Sequence, residues 1–103
     1  MRNREETEPR YVISVAARML SVQTHTLRYY EKIGIIEPHR SQGNIRLYSE
    51  RDIDLLRRVK SMVENMGINL AGVEVVLNML QRMGELQNEM EQMRKELKRG
   101  ESK

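Results

Sequence analysis

Apolar positions recur at helical spacing along most of the chain, with one short stretch of strand-like character between them. Residues 13–20 (ISVAARML) predict an amphipathic helix with Ser14 near its start and Ala16, Ala17 and Leu20 as packing positions. Ser21-Val22-Gln23 reads as a tight turn. A second helix is expected from about Thr24 to Ile33, ending at Gly34, a residue suited to the left-handed position after a helix. Its faces separate. Leu27, Tyr30 and Ile33, with Thr26 beside them, share the inward side, while His25, Arg28, Tyr29 and Lys32 follow helical spacing on the other.

The period then changes. Ile35-Ile36 and Ile45-Arg46-Leu47-Tyr48 are strand candidates, and Ser41-Gln42-Gly43-Asn44 is a loop with Gly43 at a turn position. The pair reads as a β-hairpin with Arg40 near one flank and Arg46 on the other. Ser49 with Asp52 three residues on predicts an N-cap and a near relative of the capping box. The helix it opens carries Ile53, Leu56, Val59 and Val63 on one side and ends around Met66, before Gly67. Asn69 is placed to cap a further helix bearing Leu70, Val73, Val76, Leu77 and Leu80. The first ten residues lack apolar periodicity, contain Pro9 and are expected to form a disordered arm.

From Val76 onward the spacing tightens into a seam. Val76, Met79, Met83, Leu86, Met90, Met93 and Leu97 are separated alternately by 3 and 4 residues, a heptad pattern flanked by charged side chains. Gly84 lies inside it at a cost of about 1 kcal/mol, which leaves both one helix and two open. Met at four of the seven positions makes an adaptable seam that specifies orientation poorly. The expected use is self-association through residues 78–99; packing back on the same chain is the alternative.

Composition narrows the function. A chain of 103 residues with 39% apolar residues, four Tyr, no Phe and no Trp has a thin core for a free-standing globule, so a partner is expected. It has no cysteine, which removes disulfides, thiolate nucleophiles and thiolate metal sites. No apolar run reaches membrane-spanning length and the first residues are polar, which makes a cytoplasmic, nucleoid-associated protein the expectation. Residues 9–60 carry ten Lys/Arg against five acids, whereas residues 61–103 carry six against seven. A basic front half and a neutral, acid-interleaved rear half suit a polyanion-binding head on an association element. The only two histidines, His25 and His39, have no nucleophile arrangement around them and cannot close a metal site, and there is no glycine-rich phosphate loop. No enzyme activity, metal or cofactor is expected.

Four motifs then add up to a resemblance. Ile13-x-x-x-Ala17, Thr26-Leu27-Arg28-Tyr29-Tyr30-Glu31, Gly34-Ile35-Ile36-x-Pro38-x-Arg40 and Gly43-x-x-Arg46-x-Tyr48-Ser49 resemble, in order and spacing, the signature of MerR-type transcriptional regulators. The match covers residues 11 to about 77. Within that family, residues 11–17 and 68–73 look most like the heat-shock repressor branch, HspR, with a glutamine-regulon branch also similar over the second stretch. The resemblance implies a mainly α fold: a winged helix-turn-helix over 11–77, with a β-hairpin wing over 36–48. A C-terminal coiled-coil dimerisation helix over 78–99 and a tail over 100–103 complete it. It also implies a homodimer through an antiparallel coiled coil, bound to an inverted repeat in double-stranded DNA, with recognition helices over 24–33 in successive major grooves. For the heat-shock branch it implies repression of chaperone operons, with the chaperone DnaK as co-repressor.

Carried onto this chain, the expected DNA contacts are Arg18, Gln23, Thr24, His25, Arg28, Tyr29, Arg40, Arg46 and Tyr48. Arg28 has the planar fork that reads a guanine edge, and Thr24 and His25 lie on the first turn, which points deepest into a groove. Tyr29 is expected on phosphate, and Arg40, Arg46 and Arg18 on phosphates or the adjacent minor groove. Three positions depart from the family pattern: Gln23 is a poorer N-cap than Ser or Thr, Ile45 stands where Tyr is frequent, and Ser21 stands where Gly is frequent. The last departure costs little only if its φ is negative. Other readings are a regulator of another regulon, whether nitrogen-type or a spacer-distorting activator, and an interaction module whose Met-rich seam takes up a foreign helix.

Overall fold

The computed structural model describes residues 4–101. Its elements in chain order are α1 (Arg4–Thr7), β1 (Tyr11–Val12), α2 (Ile13–Leu20), α3 (Thr24–Lys32), β2 (His39–Arg40), β3 (Arg46–Tyr48), α4 (Glu50–Glu64) and α5 (Leu70–Glu101). They fall into two compact units that divide between Gly67 and Ile68.

In the first unit α2 is the hub. It lies against α3, α4 and β3, and the small side chains Ala16 and Ala17, both buried, let those neighbours approach closely. Leu20, Leu27, Tyr30, Ile53, Leu56 and Val59 fill the space between the helices. On α4 the fourth buried position is Met62 rather than the expected Val63, which is half-buried. The expected capping box is present: Ser49 N–H donates to Asp52 Oδ2 at 2.9 Å, and Asp52 N–H donates to Ser49 Oγ at 3.1 Å. Lys60 of α4 donates to the Leu20 carbonyl at 2.8 Å, closing the C-terminal end of α2.

The turn between α2 and α3 is tight because Ser21 is left-handed, with φ 56 and ψ 46. Val22 N–H then reaches Ala17 O at 3.0 Å and Ser21 N–H reaches Arg18 O at 3.2 Å, the paired bonds of a Schellman motif. The proviso on Ser21 therefore fails: its φ is positive, in a region that a residue with a Cβ enters at a cost. The end of α3 repeats the motif with a residue that fits it. Gly34 has φ +87, and Ile35 N–H reaches Tyr30 O at 2.9 Å.

The sheet differs from the expected hairpin in two ways. It has three antiparallel strands in the order β1-β3-β2, with Tyr11 opposite Tyr48 and Arg40 opposite Arg46. Ile35 and Ile36 are not a strand; both are buried, so their apolar character reflects core packing in the segment leaving α3. The hairpin loop closes through Asn44 N–H to Ser41 O at 2.9 Å and Ser41 N–H to Ile45 O at 2.9 Å. Asn44, not Gly43, takes the left-handed position, with φ 61.

The arm expected to be disordered over residues 1–10 contains a helical turn. Arg4–Thr7 lies against α4, and Glu5 and Glu6 in its first turn suit the positive end of the helix dipole. Residues 1–3 lie outside the described residues.

The second unit is a single helix. Asn69 Oδ1 accepts from Gly72 N–H at 2.8 Å, capping α5 as expected. The helix then runs unbroken for 32 residues, roughly 48 Å. Gly84 does not interrupt it, so the seam lies on one helix rather than two. The expected tail at 100–103 belongs to α5 as far as Glu101; residues 102 and 103 lie outside the described residues. No helix among the described residues is long and apolar enough to cross a membrane.

Candidate nucleic-acid interface

The two faces of α3 are distinct in three dimensions. Leu27 and Tyr30 are buried against the first unit's core, while His25, Arg28, Tyr29 and Lys32 are exposed. Gln23 precedes the helix in an extended conformation and makes no side-chain cap, as expected for a poor N-cap, yet the helix still begins at Thr24. Arg28 Nη1 donates to Thr24 Oγ1 at 3.3 Å, one turn back. This contact is exposed and long, so the guanidinium is lightly held and free to exchange it for a better acceptor. Arg18 is exposed in the last turn of α2.

The wing is joined to α3 by one carboxylate. Arg46 Nε donates to Glu31 Oε1 at 2.5 Å and Arg40 Nη2 donates to Glu31 Oε2 at 2.9 Å, so each oxygen of Glu31 holds one arginine. Arg40 also reaches the Asn44 carbonyl across the hairpin loop at 3.2 Å. The Arg46 hydrogen bond, reinforced by Arg40 and opposed by partial burial, holds the Glu31 carboxyl below its ordinary range. Arg40 and Arg46, opposite each other on β2 and β3, are thereby fixed beside the C-terminal half of α3 with donors left over. Glu31 carries no flag in the hydrophobic pattern; its sequence signals are its place at the end of the Thr26–Glu31 motif and its position between the cations of the stripe and those of the wing, and neither names its partners.

Of the nine expected contacts, Tyr48 does not belong to this surface. It is fully buried, and its hydroxyl has no hydrogen-bond partner among the described residues. Burial also pushes that hydroxyl's pKa up. Pairing with Tyr11 in β1 turns Tyr48 into the core, a contact invisible from the hairpin alone. Thr24 and Arg46 are half-buried, and Gln23, His25, Arg28, Tyr29, Arg40 and Arg18 are exposed.

On α5 the apolar stripe is open. Met79, Met83, Leu86, Met90, Met93 and Leu97 are all exposed and Val76 is half-buried. Together they leave an exposed apolar stripe along α5.

A helical pair joined by a tight turn, an outward polar face on the second helix and a two-stranded wing define a winged helix-turn-helix. The model of the MerR HTH family of regulatory proteins matches residues 11–80, and the chain belongs to that family. It is 44% identical over 82 residues to a Streptomyces coelicolor protein assigned the name heat shock protein HspR, covering 80% of this chain and 54% of that one. It is 31% identical over 85 residues to the transcriptional regulator GlnR of Bacillus anthracis, covering 82% and 65% respectively. The chain thus spans between half and two thirds of these relatives. Among solved structures it resembles a MerR-family regulator from Bacillus cereus, with a TM-score of 0.56, 25% identity, and 84% and 81% coverage of the two chains. It shares its fold with HiNmlR, a MerR-family regulator that lacks the sensor domain and was solved bound to promoter DNA. There the TM-score is 0.62 and the identity 20%, with 79% of this chain and 67% of that one covered.

Proposed function

We propose that this chain is a sequence-specific DNA-binding regulator that sits as a homodimer on an inverted repeat and represses heat-shock or chaperone genes. Residues 11–77 form the DNA-binding domain and residues 78–99 the dimerisation segment. The observation that carries DNA binding is the exposed stripe His25, Arg28, Tyr29 and Lys32 standing beside two arginines that one carboxylate orients. Arg28 and the first turn of α3 read base edges; Tyr29, Arg18, Arg40 and Arg46 grip phosphates. The similarity to an HspR supports the choice of target genes, and the open stripe of α5 supports the homodimer. DnaK is the co-repressor that the HspR resemblance implies.

The test is selection of genomic fragments by the purified protein, with and without DnaK. Recovery of one inverted repeat upstream of chaperone genes, held more tightly with DnaK present, is expected. Enrichment beside nitrogen-metabolism genes would move the protein to a GlnR-like role, the second reading that sequence similarity favours.

A further inference from the structure

The register of the dimer can be taken one step beyond the homodimer reading of α5, on which it rests. Within the antiparallel coiled coil that the resemblance already implies, the geometry points to one register, with Met83 of one protomer opposite Leu86 of the partner subunit. The neighbouring layers are then Met79 against the partner's Met90 and Val76 against the partner's Met93, six layers in all by symmetry.

Charge at the seam's edges selects this arrangement. With Val76, Met83 and Met90 at the a positions, one flank carries Arg82, Glu89 and Glu96. In an antiparallel pair this flank meets its own copy. The proposed register sets Arg82 beside the partner's Glu89, twice. Sliding the helices one heptad toward their C-termini keeps two opposite-charge pairs, Arg82 with the partner's Glu96, but adds a like-charge pair, Glu89 beside the partner's Glu89, at the two-fold axis. Sliding them one heptad the other way sets Arg82 beside the partner's Arg82. A parallel pair gains Glu89 with Arg94 but brings the acidic positions 96 and 101 together, and it aligns the helix dipoles unfavourably.

Two further observations agree. Glu89 has no ion pair among the described residues, and the contact of Arg82 with Glu85 on its own helix, 3.1 Å and exposed, leaves guanidinium donors for the partner's Glu89. The proposed axis falls between residues 84 and 85, almost at the middle of the Leu70–Glu101 helix, so nearly its full length overlaps.

The chain has no cysteine, so disulfide trapping is free of background. Met83→Cys, Leu86→Cys and Met90→Cys chains are oxidised singly and in equal mixtures, with the mass of each species measured by sedimentation. A cross-linked dimer is expected only from the Met83→Cys and Leu86→Cys mixture, the one pairing that brings the Cα atoms within bonding range. Dimer mass with cross-linking of Met83→Cys alone, or of the Leu86→Cys and Met90→Cys mixture, or of none, overturns the register and leaves the dimer standing. Monomer mass for the unsubstituted chain at tens of micromolar overturns the dimer and the register together. In parallel, Glu89→Arg should weaken the dimer roughly tenfold, with Arg82→Glu in the same chain restoring it to within about twofold. Failure of that rescue contradicts the pairing.

Discussion

Glu31 and Arg46 lie fifteen residues apart in sequence and share a 2.5 Å hydrogen bond that fastens the wing to α3. With Arg40 on the other oxygen at 2.9 Å, one carboxylate of α3 holds both wing cations beside the helix. α3 and β3 both lie against α2, and the side-chain tie adds a direct link between the recognition helix and the wing.

The tie is pH-dependent in a definite sense. Because the folded state lowers the Glu31 pKa, chiefly through Arg46, its contribution is complete above the unfolded-state value and is lost as pH falls through the folded one. Glu31→Gln should lower stability at neutral pH by about 1 kcal/mol. The gap between the two proteins should close on acidification below the ordinary glutamate range. Urea titrations from neutral pH down to about pH 3 check this, and a gap that stays constant contradicts it.

Arg28 and Arg46 should fail differently. Arg28→Ala removes a base-edge fork and should relax sequence preference by about 1–3 kcal/mol per half-site. Arg46→Ala should weaken binding to every duplex alike. If a dimer neutralises about eight phosphates, the logarithm of affinity falls with that of salt at a slope of about −7, and losing Arg46 should flatten it by about one per half-site. Affinities on specific and scrambled duplexes at several salt concentrations separate the two.

Tyr48→Phe deletes a buried hydroxyl that has no partner among the described residues. It should raise stability by about 1 kcal/mol, since an unsatisfied buried donor carries a desolvation cost. DNA affinity should not change. Thermal unfolding and a binding titration on one preparation check both, and a loss of affinity would return Tyr48 to the interface.

Ser21→Gly relieves a left-handed residue in the turn that sets α3 against α2. The strain relieved, about 1–2 kcal/mol, is partly offset by the greater freedom of glycine in the unfolded chain, which leaves a net gain of about 0.5–1 kcal/mol. Chemical denaturation measures it; a destabilised Ser21→Gly protein would contradict the strain.

The helices were legible in the sequence because each announces its own ends. Ser49 with Asp52 and Asn69 with Gly72 cap where their spacing predicted, and α2 begins and ends at Ile13 and Leu20 as the apolar period implied. What escaped depends on partners far along the chain. β1 has only two residues, too few for any periodicity, and exists because Tyr11 and Val12 pair with β3. That pairing also buries Tyr48. Ile35 and Ile36 have a strand's composition but a core segment's role, a distinction that short apolar runs do not encode. Of the candidate site, the stripe on α3 could be read from spacing, but Glu31 could not: nothing local says that an acid will capture two arginines from a hairpin.

The most direct measurement is selection of random duplexes by the purified protein at two salt concentrations, run beside Arg28→Ala. One inverted repeat should be enriched at both salts by the unsubstituted chain, with the preference degraded in Arg28→Ala at the positions that Arg28 reads. No enrichment by the unsubstituted chain at either salt would mean that the stripe on α3 is an ordinary solvated face, and that the protein does not read DNA on its own.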